Sequence, residues 1–452
     1  MGRLFGTDGV RGVANVAPMD SETILRLGRA AAVALRRSDG RHRVLIGKDT
    51  RVSGYMLETA LASGISSMGV DVLLVGPLPT PGIAFMTRSM RADAGVVISA
   101  SHNSYEDNGI KFFGGDGFKL ADETESEIER LMEPGHLDEL RAQPDLIGKA
   151  ARIDDAVGRY TVFLKSCIER ECQLDGLKIV LDSAHGAGYK VAPLVLSELG
   201  ATLFNLGDKP DGRNINDGCG SLHPEKMCRM VRENGAHCGI ALDGDADRVV
   251  LCDELGEVMD GDLIMAILAF DFKERKLLTG DAVVGTVMSN LGLELALRAK
   301  GIGLVRSDVG DRYVIAEMRN RGINLGGEQS GHIISLDNNT TGDGLLTALL
   351  VLSVALRTKR KLSSFRSLIT RCPQILLNVP VRDRTPFAEL PRVIEAVKAA
   401  EKELGNVGRV LLRYSGTEVK ARIMVESPDE AQCLRVAEGI AKVVKAELPL
   451  GG

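Results

Sequence analysis

Residues 96–113 read VVISASHNSYEDNGIKFF. Val96, Val97 and Ile98 form a short apolar run of the kind that makes a buried strand. Ser99 to Asn103 break that pattern, a stretch of turn-formers follows, and Asn108-Gly109 opens a second apolar run. A strand that ends by delivering Ser101 to a loop, with His102 beside it and Lys111 ahead, is a way to present a serine for chemistry. A plain hairpin with a polar tip explains the same letters, so the surrounding chain has to decide.

Upstream, a strand at 44–47 runs into Lys48-Asp49-Thr50-Arg51, a helix is expected at 55–68, a strand at 70–75, and a PLPTPG loop opens another helix near Ile83. A helix starting at Ser21 precedes these, and a charged surface helix is expected at 122–132. Strands alternating with helices predict an α/β unit with a parallel or mixed sheet, closed by the 96–113 hairpin. The Pro- and charge-rich stretch 133–149 reads as a linker. A second unit follows, with a helix at 156–168, a strand at 178–181, a helix after Gly188 and strands at 203–206 and 239–242. A third has helices at 262–276, 291–300, 312–319 and 344–357 and strands at 282–286 and 304–305. Three units of about 100 residues suggest a duplicated architecture. From Cys372 the pattern becomes a small α+β domain, with strands at 375–381, 409–414 and 421–426 and helices at 387–404 and 429–447. The expected limits are 1–150, 151–255, 256–371 and 372–452.

A chain of 452 residues is too long for one core. Its apolar fraction of 44% and charged fraction of 26% are those of a soluble globular protein. No run of about 18 apolar residues predicts a membrane span, and MGRLFGTDGVRG has no apolar signal segment. Net charge is −5, aromatics are 4% and Trp is absent. Nucleic acid needs basic stripes and stacking rings, so it is not an expected partner. Eight scattered Cys, none in CxxC, suit free thiols in a reducing cytoplasm. A monomer or a homodimer would fit equally.

Four loops carry the chemistry. Asp243-Gly244-Asp245-Ala246-Asp247-Arg248 places three carboxylates at alternate positions, which converge on one side of an extended or gently curled backbone. Hard divalent cations take such oxygens, so Mg²⁺ or Ca²⁺ is expected. An EF-hand also opens D-x-D-x-D, and Glu254 even falls at its twelfth position. Its sixth position needs Gly for a sharp turn, however, and here it is Arg248. Gly326-Gly327-Glu328-Gln329-Ser330-Gly331-His332 offers hydrogen bonds to a polyol from Glu328 and Ser330, with His332 as a sugar contact or a loop anchor. Arg413-Tyr414-Ser415-Gly416-Thr417-Glu418, followed by Arg422, has the hydroxyls, amides and guanidiniums to cage a phosphate dianion. The Gly-rich opening, residues 6–12, carries Asp8 and Arg11. A serine hydrolase is disfavoured because there is no GxSxG and Ser101 and His102 are chain neighbours. A metal-dependent sugar phosphatase remains open, whereas Ser101 together with all three aspartates speaks against a non-catalytic sugar-phosphate sensor.

Together the segments GTDGVRG, SASHN with NGIKFF, DGDADR, GGEQSGH and RYSGTEVKAR make the chain resemble the α-D-phosphohexomutases along essentially its whole length. Ser99 and Gln329 place it nearest the bacterial glucosamine branch, with mannose- and glucose-phosphate mutases as the alternative. The resemblance implies four domains around a central cleft, three of them related. It implies interconversion of glucosamine 6-phosphate and α-glucosamine 1-phosphate, supplying UDP-N-acetylglucosamine for cell-wall synthesis. A phosphoserine at Ser101 and a bisphosphorylated sugar would carry the reaction. It further implies Mg²⁺ held by Asp243, Asp245, Asp247 and Ser101, with glucosamine 1,6-bisphosphate or a related bisphosphate as activator. Lys111 and His102 are the candidates for a general acid or base at the sugar hydroxyl, with Arg11 and Arg248 as electrostatic groups, and Glu328, Ser330 and His332 would act on the sugar. Arg413, Ser415, Gly416, Thr417 and Arg422 would hold the non-reacting phosphate. Position 104 is Ser where this family usually has Pro, which should loosen the serine loop.

Overall fold

The same four-strand arrangement recurs three times along the chain. The structure, a computed structural model, describes residues 4–6, 8–36, 40–415 and 419–449. In the first unit β1 (Val10–Val13), β2 (Arg43–Lys48), β3 (Asp71–Pro77), β4 (Ala94–Ile98), β5 (Asp107–Gly114) and β6 (Ala150–Arg152) form one sheet in the order β1-β5-β4-β2-β3-β6. The second holds β7 (Lys178–Asp182), β8 (Thr202–Leu206), β9 (Cys238–Leu242), β10 (Val249–Cys252) and β11 (Val258–Met259), ordered β11-β10-β9-β7-β8. The third holds β12 (Ala282–Thr286), β13 (Gly303–Ser307), β14 (Leu325–Gly327) and β15 (Ile333–Ser335), ordered β13-β12-β14-β15.

Within these sheets β3-β2-β4-β5, β8-β7-β9-β10 and β13-β12-β14-β15 are one pattern. Three strands run parallel, joined by helices, and the fourth turns back antiparallel on the third. Parallel neighbours need a crossover, and helices supply it in each unit: Ser53–Ser67 and Thr80–Ser89, then Val191–Glu198 and Glu225–Asn234, then Leu291–Ala299 and Asp311–Arg321. The duplication is therefore visible in topology. It also places the serine loop, the Asp loop and the Glu328 loop at the same point of each repeat, in the tight return from the third strand to the fourth.

Two differences from the sequence expectation concern the units' edges and contents. The first sheet runs on through Arg152 because β6 pairs in parallel with β3, past the limit expected at 150. Helix Glu225–Asn234 was not anticipated; only Met227, Cys228 and Val231 of it are buried, and its start is hidden behind a turn-rich, polar approach. Helices Gly261–Glu274 and Gly344–Thr358 are apolar on most sides because they lie inside a core shared by three units, where Leu45, Leu181, Leu242, Leu268 and Leu349 belong to one buried cluster.

The fourth unit is an antiparallel sheet of β16 (Gln374–Pro380), β18 (Lys420–Glu426) and β17 (Arg409–Tyr414), with β18 central. Ala421, Ile423 and Val425 alternate along β18 toward helices Pro391–Leu404 and Glu430–Glu447, which close a separate core. The helix expected over 387–404 is broken. A 3₁₀ turn, Phe387–Glu389, precedes Pro391, because the residue before a proline is pushed out of helical geometry. This unit is pinned to the third by Asn290, whose amide donates to the Cys372 carbonyl at 3.0 Å, and by Arg409, which donates to the Val287 and Ser289 carbonyls at 2.9 Å each. No helix among the described residues is long and apolar enough to cross a membrane.

Candidate active site

Ser101 lies at the end of β4 with φ +52° and is 2% exposed. A left-handed serine is uncommon, and here both of its peptide groups are engaged. Its N–H donates to Ser99 Oγ at 2.9 Å, and Ser99 Oγ donates onward to Asp49 Oδ2 at 2.6 Å. The turn aims Ser101 Oγ across to the second unit, where it donates to Asp243 Oδ2 at 2.7 Å. The loops approach so closely that a Cβ on Gly244 would sit 2.5 Å from the Ser101 carbonyl oxygen, which is why the residue between the first two aspartates is glycine. Ala246 takes a left-handed φ of +57°, and that curl brings the third carboxylate round.

Asp243, Asp245 and Asp247 are all buried, and each offers an oxygen within 4.8 Å of the others. Asp245 Oδ1 and Asp247 Oδ1 are buried without a hydrogen-bond partner. Burial pushes the Asp243 carboxyl well above its ordinary value, and Asp247 and Asp245 push the same way. Burial likewise raises Asp247, with Asp245 adding to it. Asp245 goes the other way: burial would raise it, but Lys111 and Thr80 hold it down. Orphaned buried oxygens and mutually repelling carboxylates are the donor set of a hard divalent cation, so the residues present fit one.

Lys111, on β5, reaches Asp245 at 3.0 Å, Asp8 at 3.3 Å and Asp247 at 3.8 Å. Burial alone would lower its pKa, but these carboxylates outweigh that and hold the ammonium charged. Lys111 therefore suits charge neutralisation better than proton acceptance. Arg11 pairs with Asp8. The chain of charges continues from Asp8 through Lys119 to Asp311, with Lys119 2.7 Å from Asp311. Asp8, Lys119 and Asp311 received no role from the sequence. Each is an ordinary charged residue far from the others in the chain, and only the fold joins them.

Arg248 donates to His102 Nδ1 at 3.2 Å, and its own backbone N–H donates to Asp243 Oδ1 at 3.1 Å. Arginine has donors only, so Nδ1 accepts and the imidazole proton sits on Nε2. Burial, then Arg248 and Arg11, lower the His102 pKa to about 4. His102 is therefore neutral at pH 7, 3.4 Å from Ser101 Oγ. Its folded pKa lies below the ordinary value near 6.5, so its contribution to stability is full above about pH 6.5 and is lost as pH falls toward 4. We expect His102→Gln to flatten the acid side of a plot of urea midpoint against pH over that window. An unchanged slope would contradict the assignment.

The Glu328 loop packs against the Asp loop. Val249 N–H donates to the Gly331 carbonyl at 3.1 Å and Gly344 N–H to the Ala246 carbonyl at 3.0 Å. Glu328 Oε1 accepts from Gly310 N–H at 2.9 Å, and Ser330 Oγ donates to Glu328 Oε2 at 3.3 Å. His332 is 2% exposed, with Nε2 3.8 Å from Asp247 and 3.7 Å from Asp311. Both of its ring nitrogens are buried without a hydrogen-bond partner. Ser104 does not leave the serine loop slack: its carbonyl is gripped by Arg51 and its hydroxyl donates to Glu106 at 2.6 Å.

Arg413, Ser415 and Arg422 form a group of their own on the fourth unit; Gly416 and Thr417 lie outside the described residues. Arg413 and Arg422 are directly opposed across β17 and β18, and Arg422 Nε is buried without a hydrogen-bond partner. Like charges facing each other across a strand pair are destabilising, and an anion between them would relieve that.

Family models match four successive segments of the chain. Those described as phosphoglucomutase/phosphomannomutase alpha/beta/alpha domains I, II and III match residues 2–138, 159–256 and 260–372, and the C-terminal domain matches 376–443. A phosphoglucosamine mutase of Syntrophotalea carbinolica is 58% identical over 447 residues, covering 99% of this chain and 98% of the relative. One from Anaeromyxobacter dehalogenans is 59% identical, covering 97% and 98%. A crystal structure of a phosphoglucomutase/phosphomannomutase family protein from Burkholderia thailandensis shares the fold, with a TM-score of 0.82 at 23% identity, covering 100% of this chain and 98% of that one. With a serine on a carboxylate triad, three repeated units and all four domains matched, this chain belongs to the phosphoglucomutase/phosphomannomutase family.

Proposed function

We infer that this enzyme interconverts glucosamine 6-phosphate and α-glucosamine 1-phosphate through a phosphorylated Ser101. The observation that carries the chemistry is the 2.7 Å approach of Ser101 Oγ to Asp243, at the edge of three buried carboxylates. The choice of an amino sugar is supported by near-full-length identity of 58% and 59% to curated phosphoglucosamine mutases.

In the forward half-reaction the bond from Ser101 Oγ to phosphorus breaks as the free hydroxyl of the sugar phosphate bonds to phosphorus, and the proton of that hydroxyl ends on the departing Ser101 Oγ. The bisphosphorylated sugar turns end for end, and Ser101 Oγ then takes the phosphoryl group from the other position. A loose transition state asks for positioning and charge neutralisation. Lys111, Arg11 and Arg248 supply positive charge, and neutral His102 orients Arg248. Asp243, Asp245 and Asp247, with Ser101, would hold Mg²⁺, which when bound draws charge from the phosphoryl oxygens. Glu328, Ser330 and His332 would hold the sugar. Arg413, Ser415 and Arg422 would hold the phosphate that does not react, and Gly416 and Thr417 belong to the same reading. Glucosamine 1,6-bisphosphate or a related bisphosphate would recharge a dephosphorylated Ser101. Eight free thiols suit a reducing cytoplasm.

An enzyme-linked assay with glucosamine 6-phosphate, mannose 6-phosphate and glucose 6-phosphate, each with Mg²⁺ and trace bisphosphate, tests the substrate. We expect kcat/KM to favour the amino sugar by at least about tenfold. Preference for either neutral sugar would overturn the assignment.

A further inference from the structure

Among the described residues Arg51 is the largest fully buried side chain, and its one carboxylate partner there, Asp49, is equally enclosed at 2.8 Å. Taking such a pair out of water costs free energy that the pairing alone recovers poorly. Its use lies in what the rest of the guanidinium does. Nε donates to Asp49 Oδ2. One terminal nitrogen donates to the carbonyls of Ser104 and, at 3.1 Å, Asp107. The other donates to the carbonyls of Ser101 at 3.0 Å and Asn103 at 2.8 Å. All five N–H donors of an arginine are thus spent, four of them on one loop.

Carbonyl oxygens gathered toward one point repel each other, so the serine loop needs a cation with a planar fork at its centre. Two of those oxygens are also held from the second unit. Asn216 Nδ2 donates to the Ser101 and Asn103 carbonyls at 2.9 Å each. The same short segment makes further bonds across that junction, from Thr50 Oγ1 to the His185 carbonyl at 2.5 Å and from Val52 N–H to the Gly212 carbonyl at 2.9 Å. Ser101 is therefore fixed at both peptide groups: its N–H by Ser99, which itself hangs on Asp49, and its carbonyl by Arg51 and Asn216. With the backbone clamped at φ +52°, the Cα–Cβ bond of Ser101 is fixed, and the 2.7 Å bond from Oγ to Asp243 selects the rotamer.

We propose that Arg51 and Asn216 are positioning residues that hold Ser101 in its left-handed turn for phosphoryl transfer, and that Asn216 makes this geometry depend on the seating of the second unit against the first. The proposal rests on the reading of Ser101 as the phosphoryl carrier. Arg51→Lys keeps the charge but offers a compact ammonium in place of the fork. Asn216→Gly removes the amide while keeping a left-handed backbone at φ +59°. Ile128→Val, in the core of the first unit and away from the loop, serves as a control for ordinary loss of stability.

Misplacing a reacting atom by about 1 Å can cost about a hundredfold. We therefore expect kcat to fall about a hundredfold in Arg51→Lys and about tenfold in Asn216→Gly, with KM changed less than about threefold. Amide hydrogen exchange over residues 101–107 should quicken in both and stay at the wild-type level in Ile128→Val. If Arg51→Lys does not fold, Asn216→Gly decides alone. Unchanged exchange across 101–107, or kcat within about twofold of wild type, would overturn the proposal. If the wild-type enzyme turns over no sugar phosphate, the reading of Ser101 fails instead, and the exchange result still decides whether the clamp exists.

Discussion

Ser101→Ala is expected to abolish the phosphate adduct seen by intact mass and to lower kcat by at least about three orders of magnitude. Neither Ser99 nor His102, its neighbours in the loop, is placed to substitute. Ser99 Oγ already donates to Asp49 at 2.6 Å and accepts from Ser101 N–H at 2.9 Å, so its hydroxyl is spent on holding the turn. His102 Nδ1 faces Arg248 at 3.2 Å and has no free lone pair to offer phosphorus. The arginines of the fourth unit are untouched, so calorimetry should still detect binding of the sugar phosphate. Loss of turnover with binding kept separates a missing phosphoryl carrier from a collapsed site. A variant that retained its rate, or its adduct, would remove the phosphoserine from the mechanism. Ser99→Ala sharpens the comparison: it should keep the adduct and lose only part of the rate, because Oγ of Ser101 remains while one anchor of its backbone goes.

The serine, the three aspartates and the Glu328 loop were legible because each is a short polar break between apolar runs, which is how a strand-to-strand return looks in sequence. Strands such as β12 could be bounded to the residue, since an apolar run between charged or Gly-rich flanks leaves little choice of register. Helix Glu225–Asn234 escaped because its buried residues are few and its approach is a string of turn-formers. The repeat itself shows it must exist, since β8 and β9 flank β7 in parallel and need a crossover. Less legible still were groups whose meaning lies in contacts between units. Asp8, Lys119 and Asp311 form one line of charge only after the first and third units meet. Arg51 read as part of a polar loop after β2, and nothing local says that its guanidinium is fully enclosed by another loop of the same unit. The signal available was an Asp-x-Arg directly after a buried strand, a spacing that lets the carboxylate turn back on the guanidinium.

Mg²⁺ is expected to raise the thermal midpoint of the wild-type protein, and Asp247→Asn to blunt that response. Without added metal the folded state must keep Asp243 and Asp247 buried beside Asp245. Burial and their neighbours raise both carboxyls, so the folded state binds protons more tightly than the unfolded one does. The sign follows: these two groups destabilise the fold at neutral pH, and that penalty is relieved as pH falls through their raised values. A cation that binds only the folded form adds about 2.7 kcal/mol when it is a hundredfold above its dissociation constant. Protons compete for the same oxygens, so the gain from Mg²⁺ should shrink as the solution is acidified. Asp247→Asn removes one buried charge whose Oδ1 has no hydrogen-bond partner. The variant should therefore melt higher than wild type in chelator and lower than wild type in Mg²⁺, with kcat down by more than about a hundredfold. Thermal melts of both proteins with and without Mg²⁺ at two pH values check this crossing of stabilities. A wild-type midpoint indifferent to Mg²⁺, or an Asp247→Asn variant stabilised by it as strongly as wild type, would show that the three aspartates are not the cation's ligands. Because the crossing is read from melting alone, it stands apart from any loss of activity.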